Sequence, residues 1–335
     1  MKKIINIVGK AGLDGFLLAL ISMIGLAYVY PYPGMKSSPV PLGEIATYGV
    51  SVIFFFYGLR LSPEKLKAGL TNWRLHTMIH FSTFVLFPLL ALTVRPLFKG
   101  SENELLWLSI FFLTTLPSTV SSSVVMVSIA NGNIPAAIFN ASISSLMGVF
   151  ITPLWMGLVL DNASGEYDLL GVVGKLSLQV ILPVGLGILM NKSWGAFAEK
   201  YKKNIRYFDQ FTILLIVYTS FCESFGEHLF SGFELRDILF LGAGMITLFF
   251  AIYLLLSFFS RMLHFSREDE ITAVFCGSKK SLIQGAVMSK VLFSGASYAG
   301  VMLLPIMLYH ALQLIAASVL AQRMARKNRK IADSE

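Results

Sequence analysis

Apolar runs of about twenty residues fill most of this chain, separated by short polar or charged stretches, and a run of that length suits a bilayer-spanning helix. Ten such segments are predicted, at residues 12–30, 44–60, 73–96, 104–130, 133–160, 168–191, 207–226, 236–262, 268–292 and 297–322. The turn Ala130-Asn131-Gly132-Asn133 is short enough to make the fourth and fifth an antiparallel hairpin. Two segments break the pattern. The fourth is interrupted by Pro117-Ser118-Thr119-Val120-Ser121-Ser122-Ser123, the ninth by Cys276-Gly277-Ser278-Lys279-Lys280-Ser281. A lysine at the centre of a spanning helix costs about 2.5–3.5 kcal/mol on insertion scales, so such residues mark a cavity or a site. Interrupted segments at corresponding places in two halves point to a transporter's binding site.

Ten spans divide as five and five near residue 165. The expected domains are a first repeat at 1–165 and a second at 166–335. Each half has its broken segment fourth, followed by a helix carrying a proline, Pro153 or Pro305. An odd number of spans per half places the halves in opposite orientation, as in an inverted repeat. The predicted fold is an all-α polytopic membrane protein of ten helices in two inverted five-helix repeats.

Composition agrees: 55% of the 335 residues are hydrophobic, 14% are charged, and the mean hydropathy is +0.70. Soluble domains carry about 25% charged residues. The net charge of +8 becomes a topology signal once placed. With a cytoplasmic amino terminus, Lys36, Arg95, Lys99, Arg236 and Lys290 fall outside, Lys175, Lys279 and Lys280 fall within spans, and every other lysine and arginine lies inside. That asymmetry follows the positive-inside rule and predicts both termini in the cytoplasm, with the plasma (inner) membrane as the location. The partner implied is the anionic inner leaflet rather than nucleic acid. Met1-Lys2-Lys3 resembles the start of a signal peptide, but the apolar run to Tyr30 is read as a retained helix. Cys222 and Cys276 have no disulfide or metal-ligand spacing. Trp73, Trp107, Trp155 and Trp194 fall near predicted helix ends, as an interfacial belt expects.

At the first break, Pro117 lacks an amide hydrogen, and the hydroxyls of Ser118, Thr119, Ser121, Ser122 and Ser123 compete for the freed backbone groups. The competing reading is a kinked, Ser-rich helix packed tightly on its neighbours. Asn140 and Ser144 stand i,i+4 apart on one face of the next helix, either supplying oxygens to the cavity or forming an interhelical bond. At the second break Gly277 frees the backbone, Ser278 and Ser281 add hydroxyls, and Gln284 adds an amide. Lys279 and Lys280 would diverge by about 100° on a helix. One is therefore read as facing a substrate cavity or unwound carbonyls, the other as reaching a polar crevice or snorkelling. His76 and His80 are read as a satisfied polar pair rather than metal ligands, and Glu223 as a solvated helix end.

The chain resembles the bile acid:sodium symporter superfamily, in its SBF-like branch similar to the seventh solute-carrier-10 type. The resemblance is carried by Phe55-Phe56-Tyr57-Gly58-Leu59-Arg60-Leu61, Leu116-Pro117 through Ser123, Ala137-Ile138-Phe139-Asn140, Tyr218-Thr219-Ser220-Phe221-Cys222 and Cys276-Gly277-Ser278-Lys279-Lys280-Ser281-Leu282. It implies a core domain of helices 3–5 and 8–10, in which the broken helices cross, and a panel of helices 1, 2, 6 and 7. Matching the family's sodium ligands from the proline places them at Ser122 and Ser123, matching from Gly132-Asn133 moves them on by one residue, and a helix-3 glutamine five residues before a proline matches Thr83. The family's glutamate at the second break falls on Phe275, and its glutamine and asparagine fall on Lys279 and Lys280. The usual sodium site is thus altered, and proton coupling is an alternative to sodium.

The function these features predict is secondary active transport of a small organic anion by alternating access. The other class is a non-transporting or channel-like membrane regulator on the same scaffold, although no span offers the continuous polar path of a channel. An enzyme is not expected: there is no GxSxG, and Ser278 near Lys280 is a thin dyad. No catalytic residue and no cofactor follow; a sodium ion would find ligands at Ser122, Ser123 and Asn140.

Overall fold

Helices are the only extended regular elements among the described residues, as a chain without water to satisfy its backbone requires. The computed structural model describes residues 15–60, 72–100, 103–164, 178, 181–228, 234–293 and 296–332. The side chains of Leu17, Ser121 and residues 161–164 and 326–332 lie outside that description. In chain order the helices are α1 Gly15–Val29, α2 Leu42–Arg60, α3 Trp73–Phe81, α4 Phe87–Thr93, α5 Glu104–Thr115, α6 Ser121–Ile129 and α7 Ile134–Ser164. They continue with α8 Leu182–Lys200, α9 Lys202–Gly226, α10 Leu235–Met262, α11 Arg267–Gly277, α12 Leu282–Leu292 and α13 Ala299–Ala332.

Five stretches among the described residues are long and apolar enough to cross a bilayer unaided: Leu42–Arg60, Trp73–Leu97, Ile134–Leu160, Leu235–Met262 and Ala299–Ala325. The fourth and ninth predicted segments are instead pairs of half-helices, α5/α6 and α11/α12, interrupted at the predicted places. Pro153 and Pro305 lie inside α7 and α13, the helices that follow each break. The start of the sixth predicted segment, with Lys175, lies outside the described residues. Its helix α8 runs on to Lys200 instead of ending near 191, because the good helix formers Ala196, Ala198 and Glu199 prolong it beyond the apolar run. Tyr201 alone separates it from α9.

The third segment is interrupted too, which the apolar pattern does not announce. Between α3 and α4, residues Ser82–Leu86 form a π turn. There the Phe87 N–H bonds to the Ser82 carbonyl, and Pro88 has no N–H to offer Phe84. The Trp155 indole satisfies the Phe84 carbonyl instead, at 2.8 Å. Trp107 likewise donates to the Ala91 carbonyl at 2.9 Å and is buried. The belt expectation therefore suits only the exposed Trp73 and Trp194; the other two indoles cap carbonyls inside the fold.

Helices α2 and α8 approach closely at Gly58 and Gly187, where an added Cβ would lie 2.2 Å from the Val184 carbonyl oxygen and 2.3 Å from that of Phe55. Helix α9 packs on α1, α2, α12 and α13. The buried core around the breaks includes Phe111, Phe112, Phe249, Phe275 and Tyr309. Large apolar side chains such as Leu154 and Leu158 of α7 and Leu239, Phe240, Leu254 and Phe258 of α10 face outward, as lipid contact permits.

Candidate functional site

The two breaks meet. The Ser281 N–H donates to the Pro117 carbonyl at 2.9 Å, and the Ser118 hydroxyl donates to the Cys276 carbonyl at 2.5 Å. Each broken helix thus supplies a partner for the other's loose backbone; Cys276–Ser281 is buried throughout, and in the first break Leu116, Ser118, Thr119 and Ser123 are buried while Val120 is exposed.

A helix end leaves its last carbonyls without intrahelical donors. At the end of α5, where Leu116 turns extended (ψ 151°), every such carbonyl from Thr114 to Pro117 finds one. The Thr115 carbonyl accepts from the Thr152 hydroxyl at 2.8 Å, and that of Pro117 from Ser281. The Thr114 and Leu116 carbonyls accept from the Lys280 ammonium, at 2.6 and 2.8 Å. The third N–H of that ammonium goes to the Thr83 carbonyl at 2.6 Å. Thr83 has this carbonyl to give because the π turn diverts the Phe87 N–H to Ser82 and Pro88 has none. An ammonium has three donors, and all three of Lys280 are used. The Phe87 ring lies beneath it, 4.1 Å from Nζ to the centroid, and Lys280 is 1% exposed.

At the end of α11, neutral groups do the same work. The Gly277 carbonyl accepts from the Ser82 hydroxyl at 3.1 Å and that of Ser278 from the Tyr309 hydroxyl at 2.7 Å. The Ser278 hydroxyl turns back to the Val274 carbonyl. Gln313 of α13 clasps Lys280 by its backbone, accepting its N–H at 2.9 Å and donating to its carbonyl at 2.8 Å. Ser281 caps α12, its hydroxyl accepting from the Gln284 N–H at 3.3 Å.

Lys279 is equally buried but far less served. Its ammonium donates to the Ser122 carbonyl at 2.9 Å and lies 5.8 Å from the Phe275 ring centroid. It rests in the first turn of α6, the positive end of that helix dipole, whereas Lys280 rests at the negative end of α5. Helix α6 has Val120 as its N-cap residue and so no side-chain cap. The expectation that one lysine would snorkel is corrected: neither reaches water. The residues between α11 and α12 are not helical, so the divergence expected on a helix does not apply.

The remaining predicted residues divide. The Thr119 and Ser122 hydroxyls bond each other at 2.6 Å, and the buried Ser123 hydroxyl and Gln284 side-chain oxygen have no hydrogen-bond partner among the described residues. Ser144 accepts from the Ser118 N–H at 2.9 Å. The Asn140 oxygen meets the His76 ring nitrogen at 3.1 Å, and its amide donates to Ala136. Asn140 and Ser144 therefore form interhelical bonds, the second of their two readings. The Thr83 hydroxyl folds back on Ile79, so this residue serves the crossing through its backbone. Ser121 falls where its side chain is not described. His80 is not the satisfied half of a pair: its ring nitrogens are buried without a hydrogen-bond partner among the described residues. Glu223 is no free helix end, because it accepts the Lys36 N–H. The sequence reading missed Ser82, Tyr309 and Gln313; a lone glutamine inside an apolar helix was the available signal.

As a set of sodium ligands these residues do not fit. Asn140 is engaged by His76, the Ser122 hydroxyl is paired with Thr119, and an ammonium sits on the Ser122 carbonyl. Residues 14–326 match the model of the SBF-like CPA transporter family. The chain belongs to that family. This SBF-like transporter is 42% identical over 314 residues to an uncharacterized protein of Pseudomonas aeruginosa, covering 94% of this chain and 93% of the relative. It is 39% identical to "Putative symporter YfeH" of Escherichia coli K12, covering 95% of each chain. It is 28% identical to sodium/bile acid cotransporter 7 of Danio rerio, covering 94% of each. The SBF-like protein is accordingly a membrane transporter, not an enzyme, and an integral membrane protein that moves a small solute.

Proposed function

We propose that this protein is a secondary active transporter of a small organic anion, in which the Lys280 ammonium stands where relatives bind a coupling cation. Ten helices would form two inverted repeats, 1–165 and 166–335. A core of the third to fifth and eighth to tenth would rock against a panel of the first, second, sixth and seventh, with both termini cytoplasmic in the plasma (inner) membrane. The observation that carries the reading is the threefold carbonyl coordination of Lys280 Nζ by Thr83, Thr114 and Leu116. Three carbonyl oxygens converging on one buried positive charge match the three donors of an ammonium and are the ligand type a hard cation takes. Here the charge is tethered to the chain and neither enters nor leaves.

The anionic character of the cargo rests on Lys279. A buried ammonium at the positive end of α6, with one carbonyl for three donors, is electrostatically incomplete. A carboxylate or sulfonate beside Lys279, the α6 amides that no side chain caps and the Ser123 hydroxyl, which has no partner among the described residues, would complete it. The unused donors of Lys279 also favour a second coupling reading, a proton carried by that residue in place of sodium. The test is uptake of a panel of labelled organic anions into proteoliposomes, with sodium replaced by choline. Saturable, trans-stimulated uptake that survives the replacement is expected. Steep sodium dependence with a stoichiometry of two overturns the reading.

A further inference from the structure

The helices fall into two packing groups. Helix α2 packs chiefly on α8 and α9, and α9 also packs on α1. Helix α7 packs instead on α3, α5, α6 and α11. The groups meet where α9 lies against α12 and α13, and there the approach is close. A Cβ on Gly300 of α13 would stand 2.7 Å from the Ser224 hydroxyl oxygen and 3.1 Å from the Ser220 carbonyl oxygen of α9. The Ser224 hydroxyl accepts from the Gly300 N–H at 2.9 Å and donates to the Ser297 carbonyl at 2.6 Å. This pair of bonds pins the end of α9 to the start of α13.

Beside that seam the groups stand apart at one end of α2. A cavity of about 490 Å³ has Gly43, Glu44 and Thr47 of α2 on one side and Lys290 of α12 among its other walls. At the opposite end of α2 the groups are tied. The Tyr57 hydroxyl donates to the Ser142 carbonyl of α7 at 2.7 Å, with the buried Ser145 hydroxyl beside it. Tyr57 comes ten residues after Thr47, about 15 Å further along α2. Helices α2 and α7 do not pack along their lengths, so the long phenol bridges a gap.

The tie is of a kind that can open. A carbonyl inside a helix already accepts from the N–H four residues on, so Ser142 keeps its place in the ladder when the phenol leaves. A hydroxyl that exchanges one acceptor for water loses little. Ser142 also lies two residues from Ser144, whose hydroxyl accepts from the Ser118 N–H of the first break at 2.9 Å. The tie therefore sits within one turn of a bond to the crossing.

We infer that Tyr57 is a gating residue. Its hydroxyl latches α2 to α7 while the cavity at the other end of α2 stands open, and its release opens the latched end as the cavity closes about the α9–α13 seam. With both termini cytoplasmic, the latched end is the inner one. The inference rests on the transport reading for the role of the motion; the motion itself is tested without a cargo.

The experiment uses the full chain in nanodiscs, with one reporter at each end of α2. Lys290, in the cavity, is read by mass spectrometry as its rate of acetylation by a water-soluble ester. Ser145→Cys, at a position 1% exposed beside the latch, is read as its rate of labelling by a charged maleimide, against the buried Cys222 and Cys276. Tyr57→Phe removes the hydroxyl and keeps the ring. It is expected to slow acetylation of Lys290 at least threefold and to speed labelling at Ser145→Cys at least fivefold. Loss of packing alone raises both rates, so opposite signs mark a gate. No change in either rate, or a rise in both, overturns the inference. If the rates move oppositely yet proteoliposomes take up no organic anion, the transport reading fails and the gate remains. If uptake is found and the rates do not move, the gate alone fails.

Discussion

Gln313 holds Lys280 by both of its backbone polar groups, accepting the N–H at 2.9 Å and donating to the carbonyl at 2.8 Å. This pair of bonds from α13 fixes the backbone from which the ammonium reaches α5. Gln313→Leu fills similar space but orphans two buried backbone groups, at about 1–3 kcal/mol each. The expected result is a clear fall in thermal unfolding temperature in detergent and loss of uptake. Gln313→Glu keeps the acceptor alone and should fall between.

The two adjacent lysines should not be equivalent. Lys280→Met leaves three buried carbonyls without that donor, two of them at the end of α5, whereas Lys279→Met removes a donor only from the Ser122 carbonyl, which lies inside α6 and keeps its place in the helical ladder. Removing a buried ammonium relieves its own desolvation, which offsets part of either loss. Lys280→Met should therefore destabilise the protein strongly, and Lys279→Met should leave the unfolding temperature near wild type while greatly reducing transport. Thermal unfolding and uptake on the same preparations check the order. The reverse order would mean that Lys279 is the structural cation.

Pro117 rests on a position where no side chain fits. A Cβ on Gly148 of α7 would lie 2.6 Å from Pro117 Cγ and 2.8 Å from its Cβ. Gly148→Val should push the first break away from Ser281 and Lys280, with an overpacking cost of about 1–3 kcal/mol. Reduced uptake with preserved membrane insertion is the expected outcome, whereas Gly242→Ala, where nothing lies within 4 Å, should be silent.

At the other end of α11, Asp269 ties three segments together. One carboxylate oxygen accepts from the Asn133 amide at 2.9 Å, the other from the Asn72 amide at 2.6 Å. Those amides sit at the start of α3 and in the turn between α6 and α7, so the clamp registers both half-helix pairs. Asp269→Ala should lower the unfolding temperature and speed hydrogen exchange in the 130–134 turn. Asp269→Asn, which can still accept one of the two bonds, should do so less.

Both breaks were legible because proline, glycine and lysine carry large local costs in an apolar helix. The sequence pattern also placed the prolines of α7 and α13. The π turn before Pro88 was not legible: Pro88 sits in an unbroken apolar run, and its consequence is read only where Trp155 and Lys280 answer the freed carbonyls. Partnerships such as Gln313 with Lys280 or Ser82 with Gly277 join residues on different helices, and no one-dimensional spacing encodes them. Asn140 and Ser144 show the limit from the other side. Their shared face was read correctly, but what faces them, His76 and the Ser118 N–H, decided their role.

The central claim is that a tethered ammonium does at the crossing what a bound sodium ion does in related carriers. Binding of ²²Na⁺ to the purified wild-type protein, by scintillation proximity with choline as the background salt, tests it without knowledge of the cargo. No saturable sodium binding is expected in the millimolar range. Saturable binding that Ser122→Ala and Ser123→Ala remove would contradict it.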